Sequence, residues 1–370
     1  MPPILLLVFF YIFLFDFCPL LVYIILEVVK MQAKIKVSIP KSVLETLKAD
    51  CQNFNVLKSD NTPNFNAFIN TLIMNYYETF TANDERLHDE IAKIVEILPE
   101  RYQDHVSHSI IKTISKREQT TIEGNSIAFS FKPTKQSEKA VTLIQNVLLS
   151  NESLSSFYRR LFVSYVSHPQ PQRELIICKE NYELLLKAIK KGVQVCISTQ
   201  TNCIKSASVY AVAPAKDELY NYVLSVSDNA LITLRLAKII SVSLLSKKVA
   251  IEDDVKEIFN RQIRCGSQYP ISKKENSLIK VVLSPKGLHL FQKIYLYRPV
   301  PVKIEGNIYY FDCSINQATY YFKRFGVDAI ITEPANATLI MANYYAGAAR
   351  KYSKAAAQHT IPKQKNNKHV

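Results

Sequence analysis

Lys34, Lys36 and Ser38 alternate with Ile35, Val37 and Ile39 ahead of Pro40. In an extended strand successive side chains leave on opposite faces, so this stretch carries two amines and a hydroxyl on one side and three aliphatic groups on the other. Amines spaced along a backbone neutralise phosphate. The surplus of 46 basic over 32 acidic residues, a net charge of +14, likewise favours a polyanionic partner. The same lysines would also guard an exposed strand edge against pairing with other chains. Catalytic chemistry finds no comparable footing. The seven glycines form neither a Gly-x-Gly-x-x-Gly turn nor a Gly-Lys-Ser/Thr phosphate loop, and there is no Gly-x-Ser-x-Gly elbow. No nucleophile, base and oxyanion donor can be grouped, so neither enzymatic activity nor a cofactor is expected. His105 and His108, the one close histidine pair, lack cysteine or acid ligands at metal spacing and read as surface residues. Seven scattered cysteines without a Cys-x-x-Cys predict reduced thiols and a cytoplasmic location.

The flanking residues supply a scaffold for these lysines. Pro40 has no N–H to lose and opens a helix in which Val43, Leu44, Leu47, Cys51 and Phe54 recur at helical spacing. A polar loop over 58–63 leads to Phe65, Phe68, Ile69, Leu72, Ile73, Tyr76, Tyr77 and Phe80, a stripe over four turns, with Thr62 or Asn64 available as cap. One strand and two helices in about fifty residues bury too little surface to fold alone. The economical solution is a homodimer in which two copies of the strand pair as an antiparallel ribbon above four helices.

The pattern resembles the ribbon-helix-helix repressors, whose two-stranded ribbon enters the major groove of double-stranded DNA. The resemblance implies that Lys34, Lys36 and Ser38 read base edges and that Asn64, at the start of the second helix, grips phosphate. Against it, residues 31–80 contain no arginine, the side chain that most often reads guanine.

Residues 1–30 are almost wholly apolar, and Ile4 to Leu26 would be long enough to cross a bilayer, with a membrane as partner in that case. A span there would hold the lysine strand against headgroups, out of reach of a duplex. Met31 is therefore expected to be the true start, with a membrane-anchored cytoplasmic sensor as the alternative.

Two helices separated by Pro99, over 84–116, read as a connector, followed by a strand at Ile127-Phe129-Phe131 and helices over 137–149 and 155–167. Pro169 and Pro171 suggest a boundary. Beyond it a strand over 175–178 and a helix over 183–191, closed by Gly192, precede five short strands at 194–199, 208–213, 219–227, 230–236 and 239–245, spacing that suggests a small barrel. After a helix over 253–265, the order of elements from Leu278 to Thr332 reads β-α-β-β-α-β, the ferredoxin-like split unit, with Ser284 and Ser314 as helix caps and Glu305-Gly306-Asn307 as a hairpin turn.

The run Tyr210 to Leu224, with Thr233-Leu234-Arg235-Leu236-Ala237-Lys238-Ile239, resembles the WYL domain of bacterial transcription regulators. Tyr222 keeps the tyrosine of the family's Trp-Tyr-Leu run, Arg235 its first strand arginine, and Lys238 replaces the second. Residues 326–334 resemble the end of the extension found beside WYL domains. The resemblance implies an SH3-like or Sm-like barrel that binds a nucleotide or single-stranded nucleic acid effector through Tyr210, Tyr222, Arg235 and Lys238. Rings that stack on bases beside cations that meet phosphate are the chemistry such a ligand needs. Tyrosines in a barrel core, with Arg235 paired to an acid such as Asp228, are the alternative.

The expected architecture is thus α+β and multi-domain. An apolar segment (1–30) precedes a ribbon-helix-helix head (31–82) and a helical connector (83–170). A WYL-like barrel (171–250), a ferredoxin-like extension (251–355) and a basic tail (356–370) complete the chain. The expected function is a DNA-binding transcription regulator with a ligand-sensing domain, or else a nucleic-acid-binding module without operator preference.

Overall fold

The computed structural model describes residues 34–120, 125–149, 152–217, 219–273 and 277–358. The expectations for residues 1–30, for Met31 as the start and for most of the basic tail lie outside them. Among the described residues no helix is long and apolar enough to cross a membrane. The chain divides into two compact units between Tyr182 and Glu183.

The first unit contains β1 (Ile35–Pro40), α1 (Lys41–Asn53), α2 (Phe65–Val95), α3 (Glu100–Thr120), β2 (Ser126–Phe131), α4 (Glu138–Leu143), α5 (Leu154–Ser167) and α6 (Gln170–Ile177). A π-helical turn, Ile144–Leu148, extends α4. The alternation predicted for β1 holds: Ile35, Val37 and Ile39 are buried and Lys34 and Lys36 exposed. The stripe predicted for α1 and α2 is buried as well, from Val43 through Phe80, with Phe65 and Tyr77 only partly covered.

The strand's partner corrects the sequence reading. β1 pairs antiparallel with β2 of its own chain, from Ile35 opposite Phe131 to Pro40 opposite Ser126, and the two form a sheet of two strands. No second copy is needed to supply the other strand. The reason is an internal recurrence: β2, α4 and α5 repeat the order of strand, helix, helix already present in β1, α1 and α2. One chain thereby provides both strands and the four helices expected from two. Directly opposed residues share a face, so Val37 and Phe129 point inward together. The Phe129 ring sits 5.8 Å from Phe65 of α2 and 5.9 Å from Phe162 of α5. A second correction concerns residues 175–178, which lie in or at the end of α6 rather than in a strand; Pro171 in its first turn favours the helix.

The second unit begins within α7 (Lys179–Lys191) and continues with β3 (Val193–Thr199), β4 (Cys203–Pro214), β5 (Asn221–Ser227), β6 (Ala230–Arg235) and β7 (Ile239–Lys248). All five predicted strands are present, but the sheet is open: its order is β6-β5-β4-β3-β7, so β6 and β7 are edges and no barrel closes. Helix α8 (Asp253–Cys265) lies on the sheet, its Val255 and Phe259 packed with Leu224, Val226 and Leu231.

The remainder comprises β8 (Ile279–Leu283), α9 (Pro285–Lys293), β9 (Pro301–Glu305), β10 (Ile308–Phe311), α10 (Ile315–Phe322), β11 (Ala329–Glu333) and α11 (Ala335–Gln358). Ser284 and Ser314 cap α9 and α10 through the N–H groups of Gly287 and Gln317. Gly306 turns the β9–β10 hairpin at φ +60°. The element order is the predicted one, and the sheet order is β11-β8-β10-β9. All neighbours in this sheet run antiparallel, so α9 and α10 each join two parallel strands separated by one strand between them: β10 lies between β8 and β9, and β8 between β10 and β11.

Candidate nucleic-acid interface

Two patches hold the residues singled out above, one in each unit. In the first unit the outer face of the ribbon presents Lys36 opposite Ser130 and Ser38 opposite Ala128, with Ser126 opposite buried Pro40 at its end. Lys34, Lys36, Ser126, Ala128, Ser130 and Lys132 are exposed and Ser38 is half-buried. This face is made of short side chains framed by amines.

The helices that flank the ribbon are fixed to it by polar contacts. Asn64 caps α2, its side-chain oxygen accepting the Ala67 N–H at 3.1 Å. In the first turn Asn66 accepts the Lys132 N–H at 2.8 Å and donates to the Lys132 carbonyl at 3.1 Å, and one turn on Asn70 donates to the same carbonyl at 3.0 Å. Helix α5 repeats the arrangement. Ser153 caps it through the Ser156 N–H at 3.2 Å, Ser155 accepts the Ser38 N–H at 3.4 Å, and Arg159 donates to Ser126 Oγ at 3.3 Å. Both helices therefore begin beside the ribbon, where the positive end of a helix dipole favours an anion. Asn64 acts as the cap of the α2 terminus.

Sequence reasoning missed the second half of this face: Ser126, Ala128, Ser130, Lys132 and Arg159. The signal was the strand at Ile127-Phe129-Phe131 with two helices after it, the same order as at the lysine strand. Arg159 also supplies beside the ribbon the arginine that residues 31–80 lack.

In the second unit the structure brings Tyr222 and Arg235 together. They are cross-strand partners on β5 and β6, and Ala213 of β4 opposes Tyr222 from the other side. The Arg235 guanidinium lies 3.2 Å from the centroid of the Tyr220 ring, a stacked cation–π contact. Tyr220 was not among the sequence candidates, although it stands two residues before Tyr222.

Tyr210 is drawn elsewhere. It sits where the β4–β5 register shifts, its ring stacks on Phe259 at 5.4 Å, and its hydroxyl donates to Asn260 at 2.7 Å. Helix α8 thereby covers one face of the ring. Lys238 is exposed on the short 3₁₀ turn Leu236–Lys238 after β6. Among the described residues no cluster of His, Cys, Asp and Glu could hold a metal ion.

No protein-family profile and no curated protein matches this chain. A CRISPR Cas-related protein known from its crystal structure is similar, with a TM-score of 0.61 and 16% sequence identity, over 87% of this chain and 95% of that one. At that identity the likeness establishes a shared fold. The proteasome accessory factor B/C (PafBC) of Arthrobacter aurescens aligns over 72% of this chain and 49% of its own, with 12% identity and a TM-score of 0.23, a likeness too slight to carry an argument.

Proposed function

We propose that this chain is a nucleic-acid-binding regulator. Its first unit binds double-stranded DNA through the ribbon of β1 and β2, and its second unit, WYL-like, takes a nucleotide or single-stranded nucleic acid at Tyr222 and Arg235. The observation that carries the first half is the ribbon itself: an inner face with Val37 and Ile39 fully buried, an outer face of lysines and small hydroxylic residues, and a capped helix beginning on either side. A two-stranded ribbon fits the width of the major groove, and amines at its rim meet the phosphates. The second half rests on a guanidinium stacked over a ring beside a second tyrosine, the pairing that recognises a phosphate-bearing base. A protein of the same fold is named as CRISPR Cas-related, in keeping with a nucleic-acid partner.

Selection of bound sequences from a random duplex pool tests the reading. Enrichment of a motif supports a sequence-specific regulator, and uniform recovery points to binding without operator preference. Lys36→Ala is expected to weaken duplex binding and lower the dependence of log affinity on log salt by about one unit, while the fold melts unchanged. Equal affinity in the well-folded variant would remove the ribbon from the interface. Arg235→Ala should abolish the response to the effector and spare basal duplex binding.

A further inference from the structure

The second unit gathers another set of rings and cations away from Tyr222. The segment between α9 and β9 carries Tyr295, Leu296 and Val300, which are 78%, 50% and 70% exposed. Within it Tyr297 is held at φ +64°, a left-handed conformation that costs a bulky side chain on the order of 1–3 kcal/mol. The Tyr297 ring meets Tyr320 of α10 edge-on, with centroids 5.4 Å apart, and Tyr269 lies 6.4 Å from Tyr320. Exposed Arg324 places its guanidinium carbon 5.7 Å from the ring centres of Tyr297, Tyr320 and Tyr321 alike. Nearby, the Lys323 amine lies 4.7 Å from the ring of half-exposed Tyr344.

A ring cluster that served only as core would be covered, whereas Tyr320 is 49% exposed and the cation beside it faces solvent. The connection between β4 and β5 ties this cluster to the Arg235 patch. It carries Tyr220, on which Arg235 stacks, and also Asp217, which accepts a hydrogen bond from the Tyr297 hydroxyl, and Lys216, whose amine donates to the Arg298 carbonyl at 3.5 Å. Rings and cations therefore continue from one patch to the other within this unit.

We propose that Tyr297, Tyr320 and Arg324 form a stacking platform for unpaired bases, so that the ligand of the second unit is a single-stranded nucleic acid rather than a mononucleotide. This rests on the reading of that unit as nucleic-acid-binding and adds to it a length requirement and a second contact. Each base has a π-face, so the platform tolerates sequence, and Arg324 can stack or meet phosphate.

The test uses the full chain and a fluorescein-labelled oligouridylate of about twelve nucleotides, a length in the range such grooves cover. Tyr320→Ala and Arg324→Ala are each expected to weaken binding about five- to hundred-fold, and Tyr320→Phe to bind as the parent does. Unchanged affinity in both alanine variants, or competition by uridine monophosphate as strong as by the unlabelled oligomer, would overturn the proposal.

The chain contains no tryptophan, so Tyr320→Trp adds a single emitter at the platform. Its emission should be quenched by oligouridylate and not by inorganic polyphosphate; quenching by neither overturns the platform even if an alanine variant fails to fold. Arg235→Ala separates the two readings. If it binds the oligomer as the parent does while Tyr320→Ala binds poorly, the Arg235 site fails and the platform stands.

Discussion

At the scale of single residues, the first unit is held by a few buried polar groups whose partners arrive from distant segments. Asp50, 1% exposed, receives Arg173 Nε at 2.7 Å and the Tyr165 hydroxyl at 3.0 Å, and Arg173 also donates to the His168 carbonyl at 2.7 Å. Removing one member of such a pair strands a charge away from water. Arg173→Met is therefore expected to cost about 3–5 kcal/mol in urea unfolding of this unit, far more than breaking an exposed pair such as Lys41 with Glu45. Cys51 offers a pH test. Burial pushes its thiol from 9.0 to about 11, against a smaller lowering by a backbone hydrogen bond. The stability tied to the protonated thiol is complete below pH 9 and is lost as the pH climbs through 11. The fall in melting temperature over that interval should be smaller in Cys51→Ala than in the parent.

At the scale of elements, the ribbon's two faces predict opposite outcomes. Ile39, fully buried, packs beneath the sheet, so Ile39→Ala should cost about 2–5 kcal/mol, whereas Lys36→Ala on the outer face should change stability by no more than about 0.5 kcal/mol. Chemical denaturation of the two variants checks the contrast.

The elements themselves were largely legible. Alternation gave β1, Pro40 and Pro99 marked helix limits, and Ser284, Ser314, Gly192 and Gly306 acted at the positions their chemistry suits. Pairing was not legible, because periodicity states which face a strand buries and not which strand lies beside it. The inner face of β1 is equally satisfied by a second copy of itself or by Phe129 and Phe131, and only the recurrence of strand, helix, helix distinguishes them. For the same reason the five strands of the second unit were found while the open edges of the sheet were not. Among the candidate residues, the adjacency of Tyr222 and Arg235 was legible from neighbouring strands. The packing of Tyr210 against Phe259 and Asn260 depends on where α8 lies, which no local pattern encodes.

At the scale of the molecule, a ribbon completed within one chain changes what dilution can do. A head assembled from two copies unfolds more readily as protein concentration falls, because its stability includes association. Here both strands and their helices are covalently joined, so the melting temperature of the first unit should be the same over a roughly hundredfold range of concentration. A rise with concentration in a calorimetric scan would show that the fold depends on a second copy. The unlike strands have a further consequence. A ribbon built from identical chains copies every substitution onto both halves and reads the same in either direction. With Lys36 facing Ser130 and Ser38 facing Ala128, each half is free to change alone, and the protein carries an arrow along whatever it lies upon. For the duplex binding proposed above, the preferred target need not be a palindrome, and inverting an asymmetric target should invert the orientation in which the chain sits.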